Sequence, residues 1–115
     1  MVQIHHVNLG ILPGGVDDEA AFLVDVGYRR MPGPPEFPQA KWFEASDGSQ
    51  VHLSEDPDHR PPARAHVAVV LGDELDEVIE RLRARGTDAT VGAFGDVRIA
   101  NCLDPAGNLW ELRDR

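Results

Sequence analysis

Four side chains in this sequence are of types that hold divalent metal ions, and they recur in a repeated pattern. His6 lies in Ile4-His5-His6-Val7-Asn8-Leu9, and His66 lies in Arg64-Ala65-His66-Val67-Ala68-Val69. His52 ends the stretch Asp47-Gly48-Ser49-Gln50-Val51-His52, and Glu111 ends Ala106-Gly107-Asn108-Leu109-Trp110-Glu111. Superposing His6 on His66 carries His52 almost onto Glu111. A duplicated unit with an imidazole at its entry and a metal-capable group at its exit predicts one site built from four positions. Imidazole and carboxylate suit Zn, Ni, Co, Fe or Mn, and with no thiolate among the four a structural zinc cluster is disfavoured. Each residue alone reads as an ordinary strand residue; their equivalence in the repeat is what joins them.

The elements that must position these groups repeat as well. Residues 1–11 are rich in Val, Ile and Leu and predict a strand that stops at Pro13-Gly14-Gly15. A helix is expected over residues 16–26, with Asp17, Asp18 and Glu19 at its positive end and Gly27 as its stop; its apolar Ala20, Ala21, Leu23 and Val24 do not define one buried face. A short strand over 28–31, a Pro-rich loop over 32–38, and strands over 41–45 and 50–54 joined at Ser46-Asp47-Gly48-Ser49 complete the first half. Residues 56–63 carry three prolines and read as a linker. A strand over 65–71 opens the second half, and Gly72-Asp73 offers a cap to the following helix. Leu75, Val78, Ile79 and Leu82 form its apolar stripe, and Gly86 ends it. Strands around 87–91, 97–103 and 109–112 follow, the last two joined by Asp104-Pro105-Ala106-Gly107-Asn108. Each half therefore reads as a strand, a helix and three strands: module one over 1–55, the linker 56–63, and module two over 64–115, together a single domain.

Alternation along a strand puts His52 opposite Val51 and Leu53, and Glu111 opposite Trp110 and Leu112. By the same rule His5 points away from His6. His59 reads as a solvated linker residue and Cys102 as a small buried side chain, with nothing nearby to depress its thiol. Gly14-Gly15 lacks the spacing and the lysine of a phosphate-binding loop.

The chain has 115 residues, enough for one domain with a core, and a formal net charge of −9. That charge argues against nucleic acid as a partner. No apolar run reaches the roughly 18 residues of a membrane span, and polar residues interrupt any signal-peptide core near the N-terminus. The lone Cys102 excludes an intrachain disulfide and makes a reducing cytoplasm the default expectation.

The sequence resembles the vicinal oxygen chelate superfamily, the glyoxalase/bleomycin resistance/dioxygenase group. The resemblance rests on His6-Val7-Asn8-Leu9, on His66-Val67-Ala68-Val69, and above all on Asp104-Pro105-Ala106-Gly107-Asn108-Leu109-Trp110-Glu111-Leu112, close to that group's D-P-x-G-N-x-x-E-L ending. It implies an α+β fold of two tandem βαβββ modules forming an incomplete β-barrel with helices outside, often in a homodimer. It also implies a small-molecule substrate and a divalent metal held by His6, His52, His66 and Glu111. His52 departs from the pattern, since glyoxalase I generally has Glu there. The extradiol dioxygenases and fosfomycin-resistance thiol transferases of the group use two His and one Glu, which His6, His66 and Glu111 supply; His52 would then be a pocket residue. The implied activity is of lyase or isomerase type. The metal acts as a Lewis acid on vicinal oxygens of the substrate, and Glu111 serves as the base. A bleomycin-resistance-type binder that sequesters a cationic drug without chemistry is the alternative, to which the negative charge and Trp42, Phe43 and Trp110 are suited.

Overall fold

The computed structural model describes residues 1–115, and the chain divides into two units, residues 1–60 and 61–115, so that the Pro-rich linker is split between them. In module 1 the order is β1 (His6–Ile11), α1 (Val16–Val26), β2 (Arg29–Met31), β3 (Lys41–Glu44) and β4 (Gln50–Glu55). In module 2 it is β5 (His66–Val70), a 3₁₀ turn (Gly72–Glu74), α2 (Leu75–Ala84), β6 (Thr90–Phe94), β7 (Val97–Leu103) and β8 (Leu109–Arg113). Each module is thus βαβββ, and the α+β expectation holds. The sheets are ordered β1-β4-β3-β2 and β5-β8-β7-β6, each with one parallel pair between its first and last strand and antiparallel pairs elsewhere. Both are open, four-stranded sheets.

The parallel pairs follow from the helix. The crossover helix carries the chain to the far edge of the sheet, where it returns parallel to the first strand, and two antiparallel reversals then bring the last strand beside the first in the same direction. In module 1 the crossover is α1, with Asp17, Asp18 and Glu19 in its first turn and Gly27 closing it at φ 132°, where its N–H donates to the Leu23 carbonyl at 3.1 Å. The buried face of α1 differs from the expectation: it consists of Glu19, Phe22, Leu23, Asp25 and Val26, while Val24 is exposed. In module 2 the stripe Leu75, Val78, Ile79 and Leu82 is buried as predicted. Asp73, expected as a cap, instead sits within the 3₁₀ turn and makes no capping bond. β1 is shorter than expected. Its partner β4 begins at Gln50, whose N–H donates to the His5 carbonyl, so residues 1–4 have no partner on β4, and residues 1–5 remain exposed.

Alternation gives each sheet a covered face and an open one. The covered face of module 1 carries Ile11, Phe43, Val51 and Leu53, and that of module 2 carries Ala100, Cys102, Trp110 and Leu112, all buried. An ion pair between Arg98 of β7 and Asp76 of α2, at 2.6 Å, ties the helix to the covered side of module 2.

The turn before β8 is organised by one buried carboxylate. Asp104 accepts from the Asn108 N–H at 2.8 Å, from Asn108 Nδ2 at 3.3 Å and from the Trp110 indole at 3.1 Å, and its own N–H donates to the Asn108 carbonyl. Gly107 holds φ +86°, and a Cβ there would come within 2.8 Å of Pro61. The Asp-Pro-x-Gly-Asn signature is therefore a device that fixes the register of β8 and the plane of Trp110. Asp104→Ala would leave three donors without their acceptor and is expected to cost about 3 kcal/mol. Urea denaturation followed by tryptophan emission measures it, and a loss below about 1 kcal/mol would show that water replaces the carboxylate freely.

Candidate functional site

In module 1 the open face of the sheet carries His6 and Asn8 on β1, Gln50, His52 and Ser54 on β4, and Trp42 and Glu44 on β3, since Asn8 pairs with His52 and His52 with Trp42. The rings form a column across the three strands. His6 stacks on His52 with centroids 3.9 Å apart and planes inclined by 13°, and Trp42 stacks on the other side of His52 at 4.4 Å and 8°. His52 Nε2 donates to Gln50 Oε1 at 2.8 Å. Partial burial holds the His52 imidazole below its usual pKa, and the proximity of His6 and His5 adds to that.

His5 does not turn away from His6. It precedes the first residue of β1, so strand alternation does not govern it, and its ring meets His6 edge-on at 5.1 Å with the two Nδ1 atoms 2.9 Å apart. His59 also differs from its expected place as a solvated residue. It is half-buried with its ring over Gly10 of β1, where a Cβ would stand 2.5 Å from its Nδ1.

An open depression of about 450 Å³ adjoins the ring column. Phe37, Trp42 and His52 supply aromatic lining, and Asn8 and Ser54, joined by a 2.9 Å hydrogen bond, supply polar lining. Its one cation, Lys41, faces Glu55 at 3.9 Å.

In module 2 the open face carries His66, Ala68 and Val70 on β5 and Leu109, Glu111 and Arg113 on β8; Glu111 pairs with Ala68, one same-face position along from His66. His66 is exposed, and its Nδ1 donates to the Arg64 carbonyl at 3.0 Å. Because a carbonyl only accepts, this bond fixes the proton on Nδ1 and leaves Nε2 a bare lone pair in the neutral ring. Glu111 is half-buried and accepts from Arg113 Nη1 at 3.1 Å. Cys102 is buried on the opposite face, where burial first and Asp104 second push its thiol up to about 11, which rules it out as a nucleophile at neutral pH.

The structure therefore brings His6 and His52 into contact in module 1 and sets His66 and Glu111 on one face in module 2. Neither module by itself gathers three metal-capable groups. Gln50, Trp42, Arg113 and the Arg64 carbonyl were not singled out as partners of these residues. The signal existed for three of them, since Gln50, Arg113 and Arg64 each stand two positions from a candidate and so on the same strand face.

No protein-family model and no curated protein matches the sequence. Solved structures do match. A protein from Bacillus anthracis assigned to the glyoxalase family shares 26% identity at a TM-score of 0.85, over 98% of this chain and 94% of that one. A glyoxalase/dioxygenase from Nostoc punctiforme gives 18% and 0.79, over 96% and 89%. The fosfomycin resistance protein FosX from Listeria monocytogenes, in complex with Mn(II) and 1S,2S-dihydroxypropylphosphonic acid, gives 21% and 0.75, over 99% and 90%.

A pH dependence follows from His52. Its folded pKa lies below the unfolded value near 6.5, so as pH falls through that value the unfolded chain takes up a proton that the native ring refuses. Stability contributed by the neutral ring is present above that pH and is lost below it. Urea midpoints at pH 7 and pH 5 should fall on acidification, and less so in His52→Phe. An equal fall in both would assign the loss to other groups.

Proposed function

We propose that this chain, a member by fold of the vicinal oxygen chelate superfamily, is a metal-dependent enzyme of glyoxalase type that acts on a small substrate through two adjacent oxygens. The donors we assign are His6, His66 and Glu111, with His52 beside His6 as the fourth candidate. One observation carries the reading: His66 stands exposed on an open sheet face with its Nδ1 proton committed to the Arg64 carbonyl and its Nε2 lone pair free. A metal-ligating histidine has this arrangement, its second nitrogen held by a carbonyl that fixes the tautomer and the ring. The Mn(II) complex of the fosfomycin resistance protein supports a divalent ion in a site on this fold.

When bound, a divalent ion would supply Lewis acidity to the substrate's two oxygens. The chain's own residues account for the rest. Glu111 is the group we assign to take a proton from substrate carbon at a carboxylate oxygen. The Arg113 guanidinium holds one of its oxygens at 3.1 Å, which orients the carboxylate. The depression beside Trp42, with its aromatic and polar lining, is the part of module 1 we assign to substrate contact. Its one cation already faces a carboxylate, so this groove favours an uncharged portion of the substrate.

The first test is metal analysis of protein purified without added metal, with His66→Ala as control. About one divalent ion per chain, lost in His66→Ala, supports the reading. Metal-free protein that binds a planar cationic drug would instead favour sequestration by an acidic binder, to which the charge of −9 is suited. In the second test, Glu111→Gln should keep its circular dichroism spectrum and lose turnover by a factor of about 10² or more. A variant turning over at the wild-type rate would falsify the assignment of the base.

A further inference from the structure

His6 lies at the exposed start of β1, and an imidazole on such a site would sample several rotamers unless its neighbours held it. Two neighbours do, one of them backed by a third ring. His52 covers one ring face at 3.9 Å, Trp42 backs His52 at 4.4 Å, and His5 meets the Nδ1 edge at 2.9 Å. His52 is held in turn by its Nε2–H bond to Gln50.

This geometry separates the roles of the two histidines. A metal ion lies in the plane of each imidazole that ligates it, about 2 Å from the nitrogen. The planes of His6 and His52 are 13° from parallel with centroids 3.9 Å apart, so they meet only on the order of 15 Å away. No point near both rings lies in both planes. The Nε2 of His52 is also committed to Gln50, whereas the Nε2 of His6 carries no protein partner. In module 2 the repeat-equivalent His66 likewise engages Nδ1 and leaves Nε2 open.

We propose that His52 is a positioning residue and not a ligand: the Trp42–His52 stack and His5 form a seat that fixes the His6 ring, so that module 1 offers a divalent ion a single imidazole, through Nε2 of His6. For Nε2 to be bare, His6 Nδ1 donates and His5 Nδ1 accepts. The inference rests on the metal-dependent reading above for its consequence, but the seat itself is a property of the metal-free chain.

The test uses Co(II) as the probe, with its absorption band reporting the donor set and chelator competition reporting affinity. His52→Phe keeps a flat ring and removes both nitrogens. It should bind one Co(II) with the wild-type band and an affinity within about threefold, whereas His6→Ala should lose the ion. Trp42→Ala and His5→Ala remove no proposed donor and should weaken binding by about 10–100-fold with the band unchanged. A His52→Phe protein that is folded by circular dichroism yet loses Co(II) as His6→Ala does, or shifts its band, would make His52 a ligand and overturn the proposal. Should His52→Phe fail to fold, Trp42→Ala decides, since an unchanged affinity there removes the seat. Should wild-type protein bind no Co(II), the metal-dependent reading fails by itself, and NMR of the metal-free chain decides the seat. The His6 ring resonance should carry an upfield ring-current shift that His52→Ala abolishes; a resonance that does not move overturns it.

Discussion

The parallel pairing of first and last strand in each module is the constraint on which everything else in this chain depends. It sets β1 against β4 with Asn8 opposite His52, and β5 against β8 with Ala68 opposite Glu111. Because side chains alternate, one register decides at once which residues are covered and which face outward. Slipping β8 by a single residue would expose the fully buried Trp110 and Leu112 and drive the Glu111 carboxylate into their place. The apolar residues of the last strand therefore hold the chemical ones in position, and Asp104 holds the apolar ones, through the indole of Trp110 and the backbone of Asn108.

Much of this was legible in the sequence because it depends on periodicity. Val51 and Leu53 around His52, and Trp110 and Leu112 around Glu111, announce strands with one covered face, and the Leu75, Val78, Ile79 and Leu82 stripe announces α2. The misses have local physical causes. Residues 1–4 are as apolar as a strand, but β4 offers them no partner. Strand alternation does not reach His5, which lies outside the extended segment it governs. On α1 the covered face includes Glu19 and Asp25, so a search for apolar residues alone does not find it. His59 looked solvated because it sits among charged residues and prolines, while Gly10 leaves room on β1 for its ring.

The candidate site was legible as positions and not as roles. The repeat treats His52 and Glu111 as equivalents, yet their surroundings differ. His52 lies between two rings and bonds a neutral amide, whereas Glu111 faces a guanidinium. A stacked imidazole with a committed nitrogen and a carboxylate beside a cation are suited to different work. The two modules give the residue the same place on the sheet and different chemistry.

The two tryptophans fall one to each module, and their settings have nothing in common. Trp110 is sealed in an apolar core with its indole N–H bonded to a carboxylate, and Trp42 lies half-buried against an imidazole on an open face. Their emission should differ in colour and in sensitivity to solutes, so the light from this chain separates into two channels. One channel follows the integrity of the terminal turn and the other the occupancy of the open face. A single spectrum can thus distinguish a chain that has loosened in one half from one that has engaged a molecule in the other.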